Sequence, residues 1–203
     1  MTLLRNGTAL NGTILLAHGA GAPADSPFME AFAEGLAKRG YEVLRFNFPY
    51  MEKRQEDGKK RPPDRAPKLV EAFRQTIEEI RPDGPLLIGG KSMGGRIASM
   101  VAAEDNSICN GLVCLGYPFH PPGKPEKLRT DHFPKINLPT LILQGERDAF
   151  GGKALLDTLQ LPESFSLHWA PDGNHDLTPR KASGQTAEGN WNGAMDKIVA
   201  TFS

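Results

Sequence analysis

The chain has 203 residues, 39% of them hydrophobic, and its 24 basic and 24 acidic side chains give a formal net charge of zero. That length suits one compact domain over residues 1–203, and the balanced charge offers no global field to draw a nucleic acid or an anionic membrane. Residues 1–19 hold only the brief apolar run Ile14-Leu15-Leu16-Ala17, too short for a signal-peptide core or a bilayer span, so a cytoplasmic protein is expected.

In chain order, the first strand is expected at Thr13–Ala17. A helix follows at Ser26–Arg39, with Ser26 as cap, Pro27 in the first turn and Phe28, Phe32 and Leu36 repeating every fourth residue. Gly40 ends it, and a second strand is expected at Glu42–Phe46. Met51–Lys68 is charged and contains prolines, which predicts a solvated loop. The next helix runs from about Pro67 to Ile80, with Leu69, Val70, Phe73, Ile77 and Ile80 on one stripe. Strand Leu86–Ile88 leads into a helix that begins after Ser92 and carries Ile97, Met100 and Val101. Further strands are expected at Gly111–Leu115, Thr140–Leu143 and Ser166–Trp169, with weaker helical patterns over Lys153–Leu159 and Asn190–Phe202. Most of these strands lack polar alternation, as parallel strands buried on both faces do. Strands alternating with helices imply right-handed crossovers and a doubly wound, mostly parallel α/β sheet of about six or seven strands. Tyr117–Leu138 stands where another crossover helix belongs, but its prolines predict a long loop instead.

The strongest chemical signal follows Leu86-Leu87-Ile88. Gly90-Lys91-Ser92-Met93-Gly94 is G-x-S-x-G placed between a buried strand and a helix. A serine in so tight a turn is held above the sheet, and the flanking glycines let neighbouring backbone approach without a clash. Gly90-Lys91-Ser92 also ends like a phosphate-binding loop. That loop needs a glycine where Pro85 stands, and its cradle would fall on the strand residues Leu86, Leu87 and Ile88.

A serine alcohol needs an adjacent base. Of the five histidines, His18 lies directly after the first strand, where a role in shaping the loop His18–Gly21 is expected. His168 lies within a strand, and His120 and His132 lie in the proline-rich segment. His175, in the turn-rich Pro171–Asp176, alone has the expected place in the order Ser, Asp, His. Asp148, just past Leu141-Ile142-Leu143, is the expected orienting acid, with Glu146 as its substitute. The amides of Met93 and of Ala20, or Gly21 in its stead, would stabilise an oxyanion. Lys91 receives no chemical role. Cys109 and Cys114 read as reduced structural thiols, no zinc or calcium spacing competes, and no metal or cofactor is expected.

The blocks AHGAG, FNFPY, RPPDRAP, GGKSMGGR, GYPFHPPGKPEKLRT, LQGERDAFG and GNHDLTPRK run from about His18 to Lys181. Together they resemble the small α/β-hydrolase-like family that includes testis-expressed protein 30 and subunit 3 of the nonspecific-lethal chromatin complex. They are more loosely similar to dienelactone hydrolases, which generally use a cysteine where this chain has Ser92. The resemblance implies a three-layer α/β-hydrolase fold in a minimal form, and it places Ser92, Asp148 and His175 on the family's triad positions. The expected activity is hydrolysis of a small-molecule carboxylic ester or thioester. The alternative, which the chromatin-complex relative suggests, is a non-catalytic interaction protein.

Tyr117–Leu138 leaves its strand on the side of the sheet where ligands bind, so it is expected to cap the pocket. Phe119, Leu128 and Phe133 would offer apolar surface to an acyl chain. His120, Arg129 and His132 would offer polar tips for a head group.

Overall fold

A computed structural model describes residues 3–203. All six expected strands form, and a seventh precedes them. In chain order they are β1 (Leu3–Asn6), β2 (Thr13–Ala17), β3 (Glu42–Phe46), β4 (Leu86–Lys91), β5 (Gly111–Leu115), β6 (Thr140–Gly145) and β7 (Phe165–Ala170). They make one sheet in the order β1-β3-β2-β4-β5-β6-β7. Only β1 is antiparallel to its neighbour, pairing Leu3 with Phe46 and Asn6 with Val43. With four residues and only two of them apolar, β1 is too short to show a period.

The α-helices are α1 (Pro27–Ala37), α2 (Pro49–Asp57), α3 (Ala66–Ile80), α4 (Met93–Glu104), the single turn α5 (Lys153–Leu156) and α6 (Ala187–Phe202). Ser26 takes the cap position of α1, but its hydroxyl makes no cap bond; its carbonyl accepts from Glu30 N–H at 2.9 Å. Alternate strand residues point to opposite faces. Ile14, Leu16, Val43, Val113 and Leu141 pack with Phe32 and Leu36 of α1 and Ile198 of α6, whereas Leu15, Leu44, Ile88, Leu112 and Ile142 pack with Phe73 of α3 and Val101 of α4. The result is the three-layer α/β-hydrolase arrangement. No helix among the described residues is long and apolar enough to cross a membrane. Cys109 and Cys114 are free and buried, and burial pushes the Cys109 thiol up to about 11.

Two expectations need correction. Met51–Lys68 is not wholly a loop, because α2 occupies its first part and buries Tyr50 and Met51. Pro49 opens this helix and Gly58, at φ 69°, closes it in the left-handed conformation. Its inward stripe is only two residues wide, so the charges on its other faces hide it.

The second correction concerns Tyr117–Leu138, which contains only the 3₁₀ turn Phe133–Lys135 as regular structure. It is irregular as expected, yet it enters the core. Tyr117 and Phe119 have no exposed surface and Phe133 is 3% exposed. Their rings pack edge to face, Tyr117 lying 4.9 Å from Phe119 and 5.1 Å from Phe133.

Candidate active site

Ser92 sits between β4 and α4 with φ 52° and ψ −113°, a backbone conformation that non-glycine residues rarely adopt. The turn holds it there because nothing larger than glycine fits around it. A Cβ on Gly90 would stand 2.2 Å from the carbonyl oxygen of Ala17, and one on Gly94 would stand 2.2 Å from the same atom. Ser92 N–H donates to Leu115 O at 2.9 Å, which ties the turn to β5. Met93 is the first residue of α4, where an amide has no partner within the helix.

His175 lies in the loop after β7, with Nε2 2.8 Å from Ser92 Oγ and Nδ1 2.8 Å from Asp148 Oδ2. Asp148 therefore accepts from Nδ1–H, which leaves Nε2 free to accept the serine proton. The Asp148 side chain is fully buried, while that of His175 is 22% exposed. Asp148 Oδ1 accepts from Phe150 N–H at 2.8 Å, and Gln144 Nε2 stands 2.9 Å from Oδ2. Gln144 has no exposed surface; its Oε1 accepts from Tyr117 N–H at 2.7 Å, so one amide joins β6, the acid loop and the segment after β5. Glu146 is occupied elsewhere, its Oε2 accepting from Asp172 N–H at 2.8 Å.

The loop that carries His175 is pinned on several sides. Asp172 pairs with Arg147 and Arg180, and hydrogen bonds from the Arg180 side chain and backbone, with both charges, hold its carboxyl down at about 2. Trp191 Nε1 of α6 donates to Asp176 O at 2.9 Å, and Asn190 donates to Leu177 O at 2.8 Å. Lys91 supplies the last tie. It is 7% exposed, its Nζ donates to His175 O at 2.8 Å, and it pairs with Asp176 at 3.2 Å. Burial holds the Lys91 ammonium below its ordinary range, and Asp176 opposes that shift. The residue given no role from sequence thus holds the main chain of the candidate base.

The loop after β2 is braced by α2. His18 is fully buried; its Nε2 accepts from Phe48 N–H at 3.0 Å, and its Nδ1–H donates to Gly19 O at 2.6 Å. Burial drives its pKa down to about 4, so the ring is neutral. Tyr50 Oη donates to Ala20 O at 3.0 Å. His18 therefore shapes this loop, as the sequence suggests.

Two cavities open on Ser92, and Ala20 and Phe150 border both. Gly21 borders one of them. Phe150 was not singled out from sequence, yet its ring lies 4.5 Å from that of His175. The residues expected to touch substrate lie elsewhere, apart from Arg129, which lines one of the two cavities. Phe119 is buried behind Gly151, His120 is 7% exposed with Nδ1–H donating to Pro121 O at 2.8 Å, and Phe133 borders a separate hollow with Leu159 and Leu161. His132 Nε2 lies 2.7 Å from Ser99 Oγ, and Leu128 lines neither cavity. An aromatic side chain beside a site gains more by joining the core than by standing in an open cleft.

Several solved structures share the fold of this chain. An esterase, Est1E from Butyrivibrio proteoclasticus, superposes with a TM-score of 0.74 at 13% identity, covering 98% of this chain and 93% of its own. A dienelactone hydrolase from Anabaena variabilis superposes with a TM-score of 0.70 at 21% identity, covering 98% and 90%. A serine hydrolase without lid from Xanthomonas campestris gives 0.71 at 19% identity, covering 98% and 87%. At these identities the likeness is one of fold. The family described as alpha/beta hydrolase domain matches residues 11–203 in sequence. The chain therefore belongs to the α/β-hydrolase domain family.

Proposed function

We propose that the protein is a serine hydrolase that cleaves small carboxylic esters or thioesters through an acyl-enzyme on Ser92. The observation that carries this reading is the unbroken line of hydrogen bonds from Ser92 Oγ through His175 to Asp148, each 2.8 Å long. His175 Nε2 takes the Ser92 proton as Oγ attacks the carbonyl carbon. Asp148 holds the ring in the required tautomer and stabilises the imidazolium. The amides of Met93 and Ala20 receive the oxyanion; Ala20 is preferred to Gly21 because it borders both cavities. His175 then returns the proton to the leaving oxygen or sulfur, and the acyl group stays on Ser92. Water, deprotonated by the same nitrogen, releases the acid and restores the serine.

The resemblance of the motif blocks to the family of testis-expressed protein 30 supports these assignments. The non-catalytic alternative has no use for a strained serine bonded to a base that a buried acid holds, since such strain persists where function requires it.

The test is labelling by a fluorophosphonate probe together with hydrolysis of p-nitrophenyl and CoA esters. Ser92→Ala should abolish labelling. Ser92→Ala and His175→Ala should each lower the rate by roughly 10⁴-fold or more, with a double variant no worse than either. A well-folded parent that neither labels nor hydrolyses would leave the scaffold reading. Activity that survives His175→Ala but not His132→Ala would move the base.

A further inference from the structure

The two cavities at Ser92 differ in chemistry. The first, about 410 Å³, is bordered by Pro27, Phe28 and Met29 at the start of α1 and by His175. The second, about 390 Å³, lies between α3 and the segment after β5, bordered by Leu69, Ile97, Arg96, Arg129 and Asp64. Only the first includes His175. In ester cleavage the proton on Nε2 passes to the leaving oxygen, so the alcohol must lie on the His175 side. The acyl chain is left with the second cavity.

Arg96 and Arg129 both border that cavity, and neither has a carboxylate of its own. Arg96 lies one turn beyond Ser92 on α4, its N–H donating to Ser92 O at 3.0 Å. Residues spaced in this way on a helix are neighbours on one face. Its Nε is buried without a hydrogen-bond partner. Neither Arg96 nor Arg129 forms an ion pair among the described residues. Burial and the nearby Arg96 charge both hold the Arg129 guanidinium below the ordinary arginine range. Asp64 is the one carboxylate on this lining; its Oδ1 accepts from Lys68 at 3.0 Å and its Oδ2 is buried without a hydrogen-bond partner, so three cations share a single negative charge. Partly desolvated cations that outnumber the carboxylates on one hollow are costly unless a further anion enters.

We propose that the second cavity is an acyl site for a chain ending in a carboxylate, so that the preferred substrates are half-esters or half-thioesters of dicarboxylic acids. This rests on the hydrolase reading above. Arg96 and Arg129 bind the free carboxylate, which fixes the scissile carbonyl over Ser92, and hydrolysis consumes one water and releases the dicarboxylate with the alcohol of an ester or the thiol of a thioester.

The test compares phenyl hydrogen adipate with phenyl methyl adipate, which has the same chain but no charge. In the parent enzyme, kcat/KM for phenol release should favour the charged ester by about tenfold or more, as charge-assisted hydrogen bonds allow. The ratio should fall close to one in the Arg96→Gln, Arg129→Gln double variant. It should recover in part in the corresponding double lysine variant, which restores charge without the fork geometry. Titration of the same two esters into Ser92→Ala, with and without the arginine substitutions, reads binding apart from chemistry. A parent ratio of one, or a ratio and a binding preference indifferent to the arginines, would overturn the acyl site while leaving the hydrolase intact. Arginine-dependent binding of the charged ester by a parent that cleaves neither would sink the hydrolase and keep the anion site.

Discussion

The two long segments beside the site, residues 47–68 and 117–138, are opposites in construction. The first contains the regular helix α2, yet buries little beyond Phe48, Tyr50 and Met51. The second has almost no regular structure, yet sinks Tyr117, Phe119, Phe133 and Ile136 into the core. Regularity and burial are therefore separate properties. A helix needs only acceptable ends and a backbone free to hydrogen-bond, whereas an irregular chain holds its shape by what its side chains fill. The first segment braces the site through two hydrogen bonds, from Phe48 N–H to His18 and from Tyr50 Oη to Ala20 O, and borders one cavity through Asp64. The second braces it through packing and the bond from Tyr117 N–H to Gln144, and borders the same cavity through Arg129.

Phe119→Ala is the severest test of this contrast. It empties a core position and should destabilise the protein by about 3–5 kcal/mol, read as a lower denaturant midpoint, without altering the preference for acyl length. A changed length profile at full stability would return the segment to the role of a cap.

Acid should strain both segments at once. His18 bonds to the first and His132 belongs to the second, and burial depresses each from 6.5 to about 4. Between those values the unfolded chain binds protons that the folded chain refuses, so stability is full above about pH 6.5 and falls as pH drops toward 4. The loss should approach roughly 3 kcal/mol for His18 and be smaller for the partly exposed His132. Melting at pH 7 and pH 4.5 measures it, and the gap should narrow in His132→Gln. An unchanged gap in that variant would mean that His132 opens to water in solution.

Tyr50→Phe removes one hydrogen bond and little volume, so its stability cost should be about 1 kcal/mol. Its effect on kcat should exceed its effect on KM, because the loop it braces serves the oxyanion more than the substrate. Equal changes in both would mean that α2 shapes the cleft instead. Smallest of all, Lys53→Ala on the exposed face of α2 should shift the melting free energy by less than about 0.5 kcal/mol. A larger loss would show that the charged face of α2 is not merely solvated.

What the sequence makes legible is what local chemistry demands. Gly90, Ser92 and Gly94 are readable because the turn tolerates no other spacing, and the strands are readable as apolar runs. Asp148 and His175 follow from their order after strands. Gln144 stands as a polar residue at the end of an apolar run, but its bonds to Tyr117 on one side and to Asp148 and Gly151 on the other exist only in the folded chain. Lys91 bonds to a residue far along the chain, which no pattern around it records. Of the residues expected to line the cleft only Arg129 does so, because aromatic residues in a proline-rich stretch suit a cap and a core plug equally well. Only the packing of Tyr117 against Phe119 and Phe133 separates the two.

The bond from Lys91 Nζ to His175 O gives the site a common frame of motion. Lys91 is the last residue of β4 and Ser92 follows it directly, so the proposed nucleophile and the proposed base hang from one strand end. A breathing motion that displaces the loop after β7 must either carry the elbow with it or break a buried ammonium contact. The distance between donor and acceptor is thereby shielded from fluctuations of the surface loops. Substrate must then arrive through the open mouths on either side of Phe150, with the histidine loop standing still.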